Sequence, residues 1–292
     1  MLIRQTLFGE QNMIETAIER LKFAYEVAQS RNLGPLYVCF SGGKDSIVIA
    51  HLAKMSGVPY ELHHNITGID PPELIRFMRK HYPDLIWHRP RKTMWELIER
   101  KGMPPTRLMR YCCYELKEHG GRGRVCVTGV RWAESVRRKK TRKEFEIKTA
   151  DIKKKVVFND NDEGRTSLEN CVVKGSVIAN PIVDWTDGEV WQFIRQYNLP
   201  YCKLYDQGET RIGCIGCPMQ GSHGMAKKFA RYPKYKALYI RAFDKMLKAR
   251  IIAGKPTQWK TAEEVMTWWL GGGCERELPM FTKEYQTKLE EN

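Results

Sequence analysis

Apolar residues recur at Ile14, Ala17, Ile18, Leu21, Ala24 and Val27 with polar and charged residues between them, which predicts one helix over Asn12 to Arg31. Gly34 and Pro35 interrupt that stripe. An apolar run from Leu36 to Phe40 then reads as a buried strand, and a glycine turn hands it over to a second helix. Further on, "YELHHN" and "LIWH" read as strands, "PPELIRFMRKHYP" and "TMWELIERKG" as helices, and "RVCVTGV" as another buried strand. Strands alternating with helices predict an α/β fold: a doubly wound, mainly parallel sheet with helices on both faces.

The pattern changes over roughly 136–176, where "RRKKTRKEFEIKTADIKKK" and "NDNDEGRTS" carry charge without a core period, predicting an irregular basic insertion. Order returns with "VIANPIVDWTDGEVWQFIRQYNLP", a strand, a turn, an Asp/Thr cap and a helix. Beyond Gly224 the spacing is helical throughout. The chain is thus expected to comprise an N-terminal helix (1–34), a core (35–221) and a C-terminal helical region (222–292).

Composition narrows the class. With 292 residues and 42% hydrophobic positions, the chain can bury a substantial core and is not of the disordered type. No apolar run is long enough to span a membrane. Acidic residues stand where a secretion signal needs its apolar stretch, so a cytoplasmic location is expected. Forty-nine basic against 34 acidic residues give a formal net charge of +15, which favours anionic partners, nucleotides first and nucleic acid second. Nine cysteines in such a setting suggest thiols or metal ligands rather than disulfides.

Two motifs carry chemistry. The first is Ser41-Gly42-Gly43-Lys44-Asp45-Ser46, placed where a strand meets a helix. Free N–H groups and the dipole at a helix start favour an anion, the glycines admit close backbone approach, and Lys44 adds a mobile charge. The common triphosphate signature is absent, because position 38 is Val and Asp follows the lysine. The second is a pair of cysteine pairs, Cys112-Cys113 and Cys214/Cys217. A C-x-x-C turn converges two thiolates, and a second pair completes four-coordination for zinc or a 4Fe–4S cluster. Adjacent cysteines can share a centre only at a helix start or bend, since along a strand they point apart.

These motifs carry a resemblance. S-G-G-K-D-S after a hydrophobic strand resembles the PP-loop of the adenine-nucleotide alpha-hydrolase superfamily, many of whose members cleave ATP between the α and β phosphates. The resemblance implies that Ser41 to Ser46 grip phosphates and that Asp45 helps hold Mg²⁺. Cys112-Cys113 followed by Lys117, and then the distant Cys214/Cys217, resemble the 4Fe–4S ligand set of assimilatory adenylyl-sulfate reductases. "VTGVRWAESVRR" is similar to that family's arginine-rich segment, so Arg131 and Arg138, together with Lys117, are the expected holders of the nucleotide's anionic groups. With "NPIVDWTDGEVWQFIRQYNLPYCKLYDQGETRIGCIGC", four motifs over Leu36 to Met219 identify a member of the phosphoadenosine phosphosulfate (PAPS) reductase family, similar in form to proteins of phages and mobile elements. Lys44, Asp45 and Arg131 are the residues the resemblance assigns to catalysis.

Two departures shape the functional expectation. The tail "EYQTKLEEN" lacks the nucleophilic cysteine of true sulfonucleotide reductases, leaving Cys274 as the nearest candidate, to be weighed against a plain loop or helix-end thiol. The intact phosphate loop resembles instead the ATP-cleaving members. The leading expectation is therefore ATP cleavage to AMP and pyrophosphate, activating an acceptor, with nucleic acid favoured by the charge, for sulfur transfer from a donor protein. The alternatives are a true PAPS or adenylyl-sulfate reductase served by an electron donor, and a non-catalytic binding module with a structural Zn(Cys)₄ site. The run Arg137 to Lys143 with Lys153, Lys154 and Lys155 is expected to line a polyanion groove. Aromatics in "RYPKYKALYIRAF" and "WKTAEEVMTWWL" serve either as core or as base-stacking platforms. His63-His64 stand at a strand end, either solvated or facing the nucleotide, and Asp70 or Glu73 is placed to meet the adenosine or the metal. Self-association stays open.

Overall fold

The computed structural model describes residues 2–7, 9–117, 120–148, 155–158 and 176–274. The chain divides into two units built from interleaved segments: 1–65, 72–88 and 120–212 in the first, and 66–71, 89–119 and 213–292 in the second. These do not follow the linear boundaries that the sequence suggests.

The first unit opens with a short antiparallel hairpin, β1 (Ile3–Thr6) and β2 (Gly9–Asn12). Its residues lack apolar alternation, so periodicity gave no sign of it. Arg4 fastens it, donating to both Glu189 carboxylate oxygens at 2.7–2.8 Å and to the Asp184 carbonyl at 3.0 Å. Helix α1 (Met13–Ser30) follows, its first amides capped by the Asn12 side chain. Its apolar stripe, Ile14, Ala17, Leu21, Ala24 and Val27, is buried as the spacing predicts.

Strand β3 (Leu36–Cys39) then begins the main sheet, followed by α2 (Lys44–Ser56), β4 (Tyr60–Asn65), α3 (Pro72–His81) and β5 (Ile86–His88). Strand β6 (Val125–Val127) returns to the other side of β3. The sheet is completed by β7 (Phe145–Lys148), β8 (Lys155–Phe158) and β9 (Ser176–Ala179), in the order β5-β4-β3-β6-β9-β7-β8. From β5 through β9 all neighbours are parallel, while β7 and β8 add an antiparallel edge. The expected α/β, doubly wound, mainly parallel sheet is present. Strand order reverses between β3 and β6, and the crevice beyond the carboxyl ends of such a pair is where this architecture binds ligands.

Side chains alternate across the central strands. Leu36 and Val38 of β3 join Val125, Val127, Val177 and Ala179 in a core with α1, α2 and the helix Asp187–Gln196. Tyr37, Cys126 and Ile178 line the opposite face. The segment from 136, read as irregular, supplies a helix over Val136–Thr141 as well as β7 and β8. The core period is there in miniature: Phe145 and Ile147 are fully buried, but Glu146 between them is buried too. Arg142 donates to Glu146 at 2.8 Å and Asn180 donates to it at 3.1 Å, which makes its burial tolerable and hides the strand from a hydropathy reading. Lys153 and Lys154 lie outside the described residues.

The second unit is helical. Numbering the helices in chain order, α4 is Met94–Lys101, α5 Tyr111–Lys117, α6 Val136–Thr141 and α7 Asp187–Gln196 (the last two in the first unit), with α8 Gly221–Arg231, α9 Pro233–Ile252 and α10 Ala262–Trp268. Thr93 and Glu96 form a reciprocal cap at the start of α4. Tyr232, Tyr239, Phe243, Trp259 and Trp269 are buried together in its core, so these aromatics pack the helices rather than forming a stacking platform. The expected C-terminal helical region is present over the described residues. Among them, no helix is long and apolar enough to cross a membrane.

Candidate functional site

The Ser41–Ser46 loop lies between β3 and α2, at the reversal of strand order. Gly42 turns the chain with φ +72°, a region that L side chains rarely adopt. A Cβ there would come within 2.7 Å of Met78 Cγ and 2.9 Å of Leu74 Cδ1, so the position is closed to other residues both conformationally and sterically. Gly43 precedes α2 without a side chain to cap it. Ser46 donates to the Gly43 carbonyl at 2.8 Å, and its hydroxyl lies 3.3 Å from that of Ser41, fixing the loop from within.

Lys44 is the loop's cation, yet it is only 5% exposed. Its ammonium donates to the Thr210 carbonyl at 3.3 Å and lies 3.6 Å from the Asp187 carboxylate. Its backbone N–H donates to the Tyr205 hydroxyl at 2.9 Å. Asp187, Tyr205 and Thr210 escaped the sequence reading. Asp187 was visible there only as part of a helix cap, and nothing in local spacing relates a tyrosine to a loop 161 residues earlier.

Arg131, expected to grip the nucleotide, is spent within the protein. Its side chain is 1% exposed, and its three nitrogens donate to Asp45 at 2.7 Å, to the Trp185 carbonyl at 3.1 Å and to Asp187. It ties the loop after β6 to the start of both α2 and α7. Burial opposes ionisation of Asp187, but the Arg131 hydrogen bond and the nearby Lys44 charge hold its carboxyl below the ordinary range. Asp45 is thus an ion-pair partner whose side chain remains 23% exposed.

Arg138 is better placed for a ligand. Burial, and then the like charges of Arg211 and Arg142, lower its pKa to about 10. Glu134 pairs with Arg138 and lies 3.9 Å from Arg211. Two guanidinium groups around one carboxylate leave a local surplus of positive charge. Around them, Arg137, Lys139 and Lys140 of α6 are exposed.

The histidines are not solvated: His63 and His64 are each 5% exposed. His63 stacks on Tyr37 with centroids 3.7 Å apart, and its Nδ1 lies 2.9 Å from His88 Nε2. His64 Nδ1 pairs with the Phe40 carbonyl at 3.0 Å. Glu73 lines a surface cleft of about 410 Å³ with Arg76, Lys80, His81 and Lys203.

In the second unit, Cys112 and Cys113 occupy the first turn of α5, the helix start that adjacent ligands demand. Cys214 and Cys217 flank a turn in which Gly216 has φ +73°, and a Cβ there would meet Phe229 and Tyr239 at 2.8–2.9 Å. The Ile215 N–H donates to the Ile69 carbonyl at 2.7 Å, Tyr239 donates to the Ile215 carbonyl at 3.0 Å, and Gln220 donates to the Cys214 carbonyl at 3.1 Å. The four thiols share a neighbourhood. The hydrogen bond that the Cys112 S–H donates to Cys113, burial, and the charges of Cys113, Cys214 and Cys217 all push the Cys112 pKa upward. Burial raises Cys214 to about 11 against the pull of Lys117. Lys117 itself is held strongly in its charged form, first by Cys214 and, despite burial, by Asp70. Asp70 accepts from Thr67 at 2.6 Å and lies 3.7 Å from Cys214 Sγ. So Lys117, expected at the nucleotide, and Asp70 both belong to the cysteine neighbourhood.

The donor set suits a thiophilic centre, since clustered thiolates repel one another until a cation joins them. Among the described residues, no group of three or more His, Cys, Asp or Glu side chains stands ready to hold a metal ion as placed. Cys274, the candidate nucleophile, is fully buried in the hydrophobic core of this unit and has no exposure for attack on a substrate.

Comparison with known proteins places these features in context. The model of the phosphoadenosine phosphosulfate reductase domain matches residues 35–220. An uncharacterized protein of Methanocaldococcus jannaschii is 25% identical over 243 residues, 80% of this chain and 52% of that protein, so the chain spans about half the length of this relative. The adenosine 5'-phosphosulfate reductase of Oceanobacillus iheyensis is 27% identical over 226 residues, 73% of this chain and 81% of the relative. The phosphoadenylyl-sulfate (PAPS) reductase of Candida auris, solved as a phosphate complex, is similar with a TM-score of 0.40 and 19% identity, covering 65% of this chain and 87% of that one.

Proposed function

Because this chain belongs to the phosphoadenosine phosphosulfate reductase domain family, we propose that it is an enzyme acting on an adenine nucleotide, and that the nucleotide is ATP, cleaved to AMP and pyrophosphate to activate an acceptor for sulfur transfer. The observation that carries this reading is the complete S-G-G-K-D-S loop at the β3–β6 reversal, with a helix N-terminus, a buried lysine and no residue at Gly42 but glycine able to fit. Such a seat suits an anionic group carried beyond the α phosphate.

In the proposed reaction an acceptor oxygen attacks the α phosphorus, the bond to the β-phosphate oxygen breaks, and pyrophosphate leaves with the electron pair. Backbone N–H groups of Gly42 to Ser46 and the Lys44 ammonium stabilise the charge that develops on the leaving group. The terminal sulfur of a persulfide on a donor protein then attacks the activated carbon of the acceptor, and AMP leaves with the electron pair. A second thiol of the donor protein reduces the resulting disulfide and frees the thiolated acceptor. Arg131 acts as a positioning residue: it holds Asp45 and Asp187 at the mouth of the loop and touches no substrate. Arg138 and Arg211 meet the nucleotide's or the acceptor's anionic groups. Mg²⁺, when bound, would neutralise phosphate charge beside Asp45. An iron–sulfur cluster, when held by Cys112, Cys113, Cys214 and Cys217, would supply a sulfide-rich centre, and zinc on the same ligands would be structural. The exposed basic helix α6 and the basic cleft along α3 favour a nucleic acid as acceptor.

A second reading has an observation of its own: the likeness to a protein named as an adenosine 5'-phosphosulfate reductase. It requires a thiol nucleophile, which, with Cys274 buried, would be an external thiol. Incubation with ATP labelled at the α phosphate, with cellular RNA or DNA as acceptor, separates the two. Labelled AMP with pyrophosphate release is expected, while inertness towards ATP together with sulfite formation from a sulfonucleotide would establish the reductase.

A further inference from the structure

Two of the donors that a phosphate would use at this loop, the Lys44 N–H and the Lys44 ammonium, are already engaged by the chain itself. Gly43 brings no side chain to the start of α2, and the role falls to Tyr205, whose hydroxyl oxygen accepts from the Lys44 N–H at 2.9 Å. Two further oxygens from the same unit face the Lys44 ammonium: the Thr210 carbonyl at 3.3 Å and the Asp187 carboxylate at 3.6 Å. The Tyr205 ring is held in place for this contact. Its edge packs on Trp191 with centroids 5.0 Å apart, and the Tyr205 N–H closes a turn onto the Cys202 carbonyl at 3.1 Å. A Cβ on Gly43 would lie 3.5 Å from the same hydroxyl, so the tyrosine stands directly over the loop.

We propose that the Tyr205 hydroxyl stands in for a terminal phosphate oxygen at the loop and thereby selects among adenine nucleotides: those with phosphates beyond the α position displace it, and those without leave it in place. This rests on the reading of the loop as the phosphate seat. A neutral phenol oxygen accepts more weakly than a phosphate oxygen, whose charge-assisted bonds are about twice as strong, so the exchange favours the phosphate. Tyr205 therefore acts as a specificity-determining residue that competes with the nucleotide rather than binding it. It taxes every ligand that takes its place and spares one that does not.

The test is Tyr205→Phe, which removes the hydroxyl and keeps the ring on Trp191. Pyrophosphate and AMP are titrated into the full chain by calorimetry, with the thermal midpoint as a control for folding. One neutral hydrogen bond lost from the ligand-free protein tightens pyrophosphate binding by a factor of about 3 to 10 and leaves AMP unchanged. Unchanged or weakened pyrophosphate binding, or an equal change for AMP, would overturn the proposal. A second measurement uses the unaltered protein: pyrophosphate, but not AMP, speeds amide exchange in the peptide spanning 202–210, and exchange unmoved by pyrophosphate contradicts displacement. If the unaltered protein binds neither ATP nor pyrophosphate, the functional reading falls as well. If it binds both and Tyr205→Phe behaves identically, only the role of Tyr205 falls.

Discussion

Replacing Arg131 by methionine removes a buried cation and leaves two carboxylates without their partner. The three bonds it makes are unequal. The one to Asp45, at 2.7 Å and with a largely buried carboxylate, belongs to the charge-assisted class at roughly 1.5–3 kcal/mol. The one to the Trp185 carbonyl contributes about 1 kcal/mol, and the Asp187 pair, whose carboxylate is 67% exposed, is screened to below about 1 kcal/mol. The sum predicts a loss of roughly 2.5 to 5 kcal/mol on urea unfolding. Most of it reflects a carboxylate stranded at Asp45, so Asp45→Asn in the same chain recovers part of the loss. In a double-mutant cycle the coupling is about 1.5 kcal/mol or more. The conservative Arg131→Lys keeps the charge but loses the fork, and falls between the two. If Arg131→Met unfolds at the same urea concentration as the unaltered protein, or couples to Asp45→Asn by less than about 0.3 kcal/mol, the arginine does not organise the loop and the geometric argument fails.

Other expectations follow from single features. Gly42→Ala forces φ +72° on a residue with a Cβ and drives that Cβ into Met78 and Leu74; it lowers stability by about 2–4 kcal/mol and abolishes ATP binding, read by urea unfolding and calorimetry. Burial holds the pKa values of both His51 and His63 below the ordinary histidine value. In the window between folded and unfolded values the unfolded chain binds more protons, so stability is full above the ordinary value and declines as pH falls through it; urea midpoints drop from pH 7.5 to 5.5, and a flat profile would contradict the burial. Anaerobically purified protein contains iron with acid-labile sulfide and absorbs visible light, and both are lost together in Cys112→Ser with Cys217→Ser. A colourless protein with one zinc per chain would assign the thiols a structural role.

The strand–glycine–helix unit from Leu36 to Ser56 was legible because everything it needs is local: a buried run, two glycines and a helix start. The cysteine pairs were legible for a similar reason, and the requirement for a bend at Cys112-Cys113 is met by the first turn of α5. What local pattern could not reveal was partnership across the chain. Arg131 reads as a ligand-binding arginine until Asp45 and Asp187 are seen around it. His63 and His64 read as strand-end residues, either solvated or facing the nucleotide, whereas stacking on Tyr37 and a bond to the Phe40 carbonyl offset the cost of their burial. The strand β7 was hidden by Glu146, a buried charge whose partners Arg142 and Asn180 no hydropathy window includes. Tyr205 reaches Lys44 only through the fold.

The most direct measurement is a crystal structure of the protein with Mg²⁺ and a non-hydrolysable ATP analogue. The account predicts β and γ phosphates on the amides of Gly42 to Ser46 and on Lys44, with the Tyr205 hydroxyl moved off the Lys44 N–H. A nucleotide whose terminal phosphates point away from those amides, or a loop still closed by Tyr205, would contradict it.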